Sequence, residues 1–459
     1  MRIGWASVDI TPDRPVVLRG QFHARISNRV NDPLLATALV LADEGAGEHV
    51  VMVSCDRVGV PGGIAQRVRE AVASRAKGLD VQRIFLSATH THTAPEIEEG
   101  QYPPQGPEVM TPTEYADLFV ERVAECIVRA WENQAPGAVG WGYGHAVVGH
   151  NRRASYFGGE SRMYGATNTP EFEHIEGYED HGVDLLYTWD PVGRLTGMII
   201  NLACPSQVTE GEYYVSADFW HEVRVELARR LGEGLFLLPQ CSAAGDQSPH
   251  LLLHARAEER MRRLRGVTER EELARRIADA VTDVLPLAET DKRSDVPLRH
   301  AVRTLHLPVR RITPEQYEQA CRDYETLERQ EVPETDVAAF SRRYVMLKRC
   351  QRVMEQYRAQ DEKPTFAVET HLVRVGDVGF ATNPFELFLD YGERIKARCK
   401  AVQTFIVQLA AGGGGYLPTT RAVAGQGYGA DPASNRVGSE GGQVLVEESL
   451  ATLNSFWEE

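Results

Sequence analysis

Two histidines, His90 and His92, stand two residues apart in Ser87-Ala88-Thr89-His90-Thr91-His92-Thr93, directly after the apolar run Ile84-Phe85-Leu86. On extended chain, residues two apart project to one face. Neutral imidazoles on one face at a strand end suit zinc or a similar ion. The same pair also reads as two polar loop histidines held by backbone hydrogen bonds. Three further segments carry candidate chemistry. Gly245-Asp246-Gln247-Ser248-Pro249-His250 is turn-rich and offers Ser248 as a nucleophile. It is not a G-x-S-x-G elbow, so Ser248 needs a metal or a nearby His to activate it. Asn383-Pro384-Phe385-Glu386 reads as the opening of a helix that ends near Lys400. That puts Glu386 in a first helical turn, where the helix dipole alone favours a carboxylate. The run Gly412 to Gly415, before Tyr416, allows close backbone approach but lacks the Lys-Ser/Thr of a phosphate loop.

Each of these segments follows a strand-like stretch, and α/β folds gather ligands at the carboxyl ends of strands. The strands expected are Val50 to Cys55, Arg83 to Ser87, Met198 to Leu202, Leu235 to Leu238, Val378 to Ala381 and Thr404 to Leu409. Helices are expected from Gly63 to about Ala76, after the capping box Thr111/Glu114, and from about Phe219 to Leu231 with a stop at Gly232. The alternation predicts an α/β, layered mixed-sheet fold in a single catalytic domain over residues 1–459. Residues 255–286, with a capping box at Thr268 and Glu271, and 313–360, opening with Thr313-Pro314-Glu315-Gln316, are helical and highly charged, and they read as solvated insertions. The second, about 311–362, is expected to be a hairpin broken near Pro333. It should pack a stripe drawn from Tyr317, Tyr324, Phe340, Tyr344 and Leu347 and stay peripheral to the chemistry; a lid or a dimer contact is the other reading.

The 459 residues carry a net charge of −15, which disfavours nucleic acid and anionic membranes as partners. With 42% apolar residues the chain can build a core, yet no run is long enough for a membrane span. No export signal opens the sequence. The seven cysteines are scattered without CxxC spacing, as suits reduced thiols and a cytoplasmic location.

Taken in order, these motifs resemble the neutral/alkaline ceramidase family, zinc-dependent amidases that split N-acyl sphingosine. The likeness begins at Val8-Asp9-Ile10-Thr11-Pro12 and continues through Asn31-Asp32-Pro33-Leu34 and Ala88 to His92. It resumes at Gly245 to Pro249, Pro384 to Glu386 and Gly415 to Thr419. It implies a divalent metal, zinc, held by His90, Glu386 and Tyr416. It places His92 beside the metal as proton shuttle and makes Ser248 of the G-D-x-S-P turn, with Asp246, the catalytic turn; Ser248 or a bound water attacks. Arg152 and Arg153, which match an N-R-R-like stretch, His221 and Tyr428 form the expected substrate-facing set. One position departs: where the family has a metal-binding His in an A-C-H-P-T-like stretch, this chain reads Ala203-Cys204-Pro205-Ser206-Gln207, and His221 is the candidate replacement. The family's immunoglobulin-like C-terminal domain is not expected. The implied activity is hydrolysis of an amide or related bond in a soluble N-acyl amine or sugar derivative rather than ceramide, with homo-oligomerisation open. Two other classes remain: a glycoside hydrolase using Asp56, Asp218, Asp246 or Glu386, and a metal-free binding protein.

Overall fold

Strands with no exposed face, such as Leu35–Ala42, His49–Cys55 and Gly182–Trp189, must be covered on both sides, and three sheets achieve this together. We describe a computed structural model covering residues 1–43, 47–410 and 412–458. The first sheet runs in the order Ile84–Ala88, His49–Cys55, Leu35–Ala42, Arg2–Asp9 and Ala135–Pro136. The second orders Phe236–Cys241, Leu195–Leu202, Gly182–Trp189 and Ala138–His145. The third orders Leu298–Pro308, Thr365–Val375, Val378–Thr382 and Gln403–Val407. Each sheet is antiparallel except for one parallel pair at an edge: His49–Cys55 with Ile84–Ala88, Leu195–Leu202 with Phe236–Cys241, and Val378–Thr382 with Gln403–Val407.

The inner faces of the sheets meet in one apolar core, where Trp5, Met52, Phe85, Ile199, Leu238 and Phe380 are buried together. Helices cover the outer faces. Helices α1 (Gly62–Ala73) and α2 (Pro112–Glu132) lie on the first sheet. On the second lie α3 (Phe219–Leu231) and, after the short α4 (Ala255–Arg265), α5 (Glu269–Thr290). A hairpin of α6 (Pro314–Arg329) and α7 (Val337–Ala359) follows. The third sheet is covered by α8 (Leu389–Arg398) and, beyond the short α9 (Thr420–Gly425), α10 (Ser439–Ser455). The expected start signals act as read: Thr111 and Thr268 both close capping boxes, and Gly232 ends α3 at a φ of 100°. Among the described residues no helix is long and apolar enough to cross a membrane.

Two expectations change. The charged stretch 255–286 is not a solvated insertion: Gly266, in the left-handed region, separates two helices, and α5 buries Ile277, Ala278 and Val281 against the second sheet. The hairpin is not peripheral either. Val345 of α7 packs on Val17, Tyr102 and Val109, and the Ser341 hydroxyl accepts from the Ala24 amide at 2.9 Å. These contacts dock α7 on the loops that surround the site described next.

Candidate active site

All three parallel strand pairs send their carboxyl ends toward one region. Ile84–Ala88 leads to His90 and His92, Leu195–Leu202 to Gln207, Phe236–Cys241 to Ser248, Val378–Thr382 to Glu386, and Gln403–Val407 to Tyr416. The His loop is not extended as expected. The strand ends at Ala88, and His90 adopts a φ of 65°, a conformation non-glycine residues hold only under constraint. The turn still brings the rings together, edge to face, with centroids 4.8 Å apart. Glu386 is not in a helical turn, because α8 starts only at Leu389. Glu386–Leu387 instead pairs in parallel with Tyr416–Leu417, Glu386 opposite Tyr416. The glycine run packs on protein: a Cβ at Gly414 would stand 2.3 Å from the Phe385 ring.

The polar atoms converge tightly. His90 Nδ1 lies 2.6 Å from the Val58 carbonyl, so Nδ1 is assigned a proton and Nε2 is turned to the cavity. That Nε2 faces Glu386 Oε2 at 3.4 Å and His92 Nε2 at 3.3 Å. His92 Nε2 is in turn 2.8 Å from Gln207 Nε2, whose amide is oriented because Gln207 Oε1 accepts from Arg152 at 3.1 Å. On its other side His92 Nδ1 is 3.4 Å from Glu210, and Glu210 also reaches His250 Nε2 at 3.4 Å. Buried Arg25 donates to the carbonyl of His92 at 2.6 Å and fixes the loop. Gly20, at a φ of 117°, is required here, since a Cβ would lie 2.5 Å from the His92 ring.

Arg152 is the hub between the imidazoles and the serine turn. Its Nη2 donates to the Tyr416 hydroxyl at 3.2 Å and the Gly245 carbonyl at 2.9 Å, and its Nη1 to the Tyr164 hydroxyl at 3.1 Å. Tyr164 donates to Ser248 Oγ at 3.1 Å, and the His250 amide donates to the same oxygen at 3.1 Å. Ser248 thus connects to the imidazoles indirectly, through Tyr164, Arg152 and Gln207 on one side and through His250 and Glu210 on the other. Two expected residues serve as braces. Asp246 accepts from the Leu389 amide and the Asn151 side chain, and so seats α8. Arg153 pairs with Glu176 and donates to the carbonyls of Gln426 and Tyr428, holding the Tyr428 loop. His221 sits in the first turn of α3 and does not line the cavity. Pro205 precedes Ser206, whose hydroxyl donates to Thr89 at 2.7 Å, so this segment offers Gln207 to His92. Gln207, Tyr164, Glu210 and Arg25 were not singled out in the sequence; Gln207 alone had a signal, its place two residues past Pro205.

His90, His92, Glu386, Tyr416 and Tyr428 line a cavity of about 200 Å³. Burial pushes the Glu386 pKa up, but His90, the Tyr416 hydrogen bond and Arg152 outweigh it and hold the group below the usual carboxylate range. Burial, helped by His90 and nearby arginines, drives the His92 pKa well down, so its ring is neutral. Burial and Glu386 raise Tyr416 well above the usual phenol value and push Tyr428 up to about 12, so both keep their protons. Of the carboxylates weighed for glycoside hydrolysis, Asp56 is paired with Arg224 at 2.8 Å, and Asp218 caps α3 and binds Thr209.

The donor chemistry fits a small divalent cation. An imidazole nitrogen of His90 and a carboxylate oxygen of Glu386 face each other at 3.4 Å, and both are donor types that such an ion accepts. Tetrahedral bonds of 2.0–2.1 Å set donors roughly 3.3–3.4 Å apart. Among the described residues, however, no three His, Cys, Asp or Glu side chains close on one point as a complete metal group: the contacts with Glu386 and His92 share His90, and the His92 Nε2 that faces His90 is also met by the Gln207 amide.

The three mixed sheets and their covering helices form an α/β architecture of the neutral-ceramidase-like fold. The chain superposes along its whole length on the neutral ceramidase from Pseudomonas aeruginosa, with a TM-score of 0.72, 17% identity and 74% of that chain covered. A ceramidase complexed with C2 matches over 100% of this chain and 75% of its own, with a TM-score of 0.70 and 15% identity. No protein-family model and no curated protein matches the sequence.

Proposed function

We propose that this chain is a metal-dependent hydrolase of an amide or related acyl bond in a small molecule. The observation that carries the reading is the approach of Glu386 Oε2 and His92 Nε2 to His90 Nε2, from loops of two different sheets. His90 and Glu386, with the Tyr416 hydroxyl, would hold a divalent metal, zinc being one that accepts mixed imidazole and oxygen donors. When bound, such an ion polarises a carbonyl and acidifies water. Tyr416 keeps its proton, accepts from Arg152 and donates to Glu386, so it orients the carboxylate in the cavity. Neutral His92 can accept a proton in the cavity, with Glu210 beside Nδ1 to favour the charge that results. The setting of Ser248, which accepts from Tyr164 and the His250 amide, favours water over Ser248 as the attacking group. The shared core of the sheets supports one catalytic domain over residues 1–459.

The test is turnover of short N-acyl amines and of aryl glycosides by purified protein of measured metal content. Amide cleavage should vanish on chelation and return with zinc. Full activity in metal-free protein, or cleavage of glycosides alone, would overturn the reading.

A further inference from the structure

The cavity is walled on one side by the helical hairpin, and that wall is cationic. Arg349 and Arg352 of α7 line it together with Arg19. Two of these guanidinium groups are neutralised by carboxylates: Arg19 by Glu96 at 2.6 Å and Arg349 by Asp431 at 2.9 Å. Arg349 is also held in place between the rings of Phe22 and Tyr428, 5.1 and 5.5 Å from their centroids. Arg352 differs. Its hydrogen bond goes to the Ala433 carbonyl at 3.1 Å, and among the described residues no carboxylate lies within ion-pair distance of it. Arg352 is exposed at the cavity rim, where the positive charges of Arg349, Arg436 and Arg19 stand near it and Asp431 offsets them only in part. A guanidinium at a cavity rim with no ion pair of its own can receive a planar or tetrahedral oxyanion.

The geometry points to a substrate that carries an anionic group, a carboxylate or a phosphate, held by Arg352 with Arg349 alongside while the acyl bond lies at His90 and Glu386. This rests on the hydrolase reading of the same cavity. It separates this chain from a neutral long-chain amide, for which a cationic wall in a space of about 200 Å³ offers no complement.

The experiment uses the full chain supplied with zinc and three probes: N-butyrylglycine, the neutral N-butyrylglycinamide, and inorganic phosphate. Binding is read by calorimetry and cleavage by amine release. Wild type should bind the carboxylate about tenfold or more tightly than the amide, as a charge-assisted contact implies. Arg352→Gln should bring the two toward parity, and Arg352→Lys should keep most of the preference; melting curves verify that both variants are folded. Phosphate competing with the carboxylate supports a shared oxyanion site, and phosphate binding the tighter of the two would assign the site to phosphorylated compounds. Equal binding of both butyryl probes by wild type would overturn the subsite, as would a folded Arg352→Gln protein with unchanged preference. Arg352-dependent binding with no cleavage would remove the hydrolase reading and leave the subsite standing. Cleavage without anion preference would do the reverse.

Discussion

At the scale of single residues, the site is built on constraint. His90 holds a left-handed backbone that costs about 1–3 kcal/mol, and the Val58 carbonyl fixes its tautomer. If Glu386 is the carboxylate that completes the donor set, Glu386→Gln should lower turnover about 100-fold or more and reduce bound metal. Stoichiometric zinc and normal turnover in that variant would exclude Glu386 from the centre. Ser248→Ala is expected to act differently. The hydroxyl accepts from Tyr164 and from the His250 amide, so its loss should destabilise by about 1 kcal/mol and leave turnover within about tenfold of wild type. Abolished turnover in a folded Ser248→Ala protein would make Ser248 the nucleophile after all. Gly20→Ala forces a Cβ into the His92 ring, so it should impair activity and cost about 1–3 kcal/mol, read by urea denaturation.

At the scale of elements, a buried polar chain ties the first sheet to the third. His300 Nδ1 reaches the His49 carbonyl at 3.2 Å, and His300 Nε2 reaches His371 Nδ1 at 2.9 Å. His371 then meets Glu369, which is bound by Arg69 of α1. Burial above all, and for His300 the neighbouring His371, depresses both histidine pKa values. A folded pKa below the unfolded value of about 6.5 means that the unfolded chain binds protons first as pH falls. Stability is therefore full above about pH 6.5 and declines below it, by up to about 1.4 kcal/mol per pH unit for each such histidine. Glu369, held at about 2 by His371 and Arg69 despite burial, adds a second loss as pH falls below about 4.3 toward that value. Denaturant melts at pH 5, 6 and 7 should show this slope, and His300→Asn should flatten it; an unchanged slope would take His300 out of the linkage.

At the scale of the whole molecule, the candidate donors come from different sheets: His90 follows a strand of the first, while Glu386 and Tyr416 follow strands of the third. An ion held between them would clip these layers together. Zinc at a hundredfold excess over its dissociation constant should then stabilise the fold by about 2.7 kcal/mol. Thermal melts with zinc and with a chelator should differ accordingly in wild type and coincide in Glu386→Gln. Coincident wild-type curves would show that no ion bridges the layers.

What the sequence by itself determined was whatever depends on neighbours along the chain. Helix starts at Thr111, Thr268 and Thr313, the stop at Gly232, and the buried run His49–Cys55 follow from capping chemistry and apolar periodicity, and they stand in the structure. The ordered motifs around His90, Glu386 and Tyr416 were enough to suggest the fold. Only the tertiary structure decided how those motifs meet. Glu386 had the look of a helix start, but long-range pairing with Tyr416 took its backbone instead. Asp246 and Arg153 were legible as candidates, but their buried partners Leu389, Asn151 and Glu176 came only from packing. Gln207 reached His92 and the α7 arginines entered the cavity because loops distant in sequence were folded against it, a consequence of packing that no local pattern encodes.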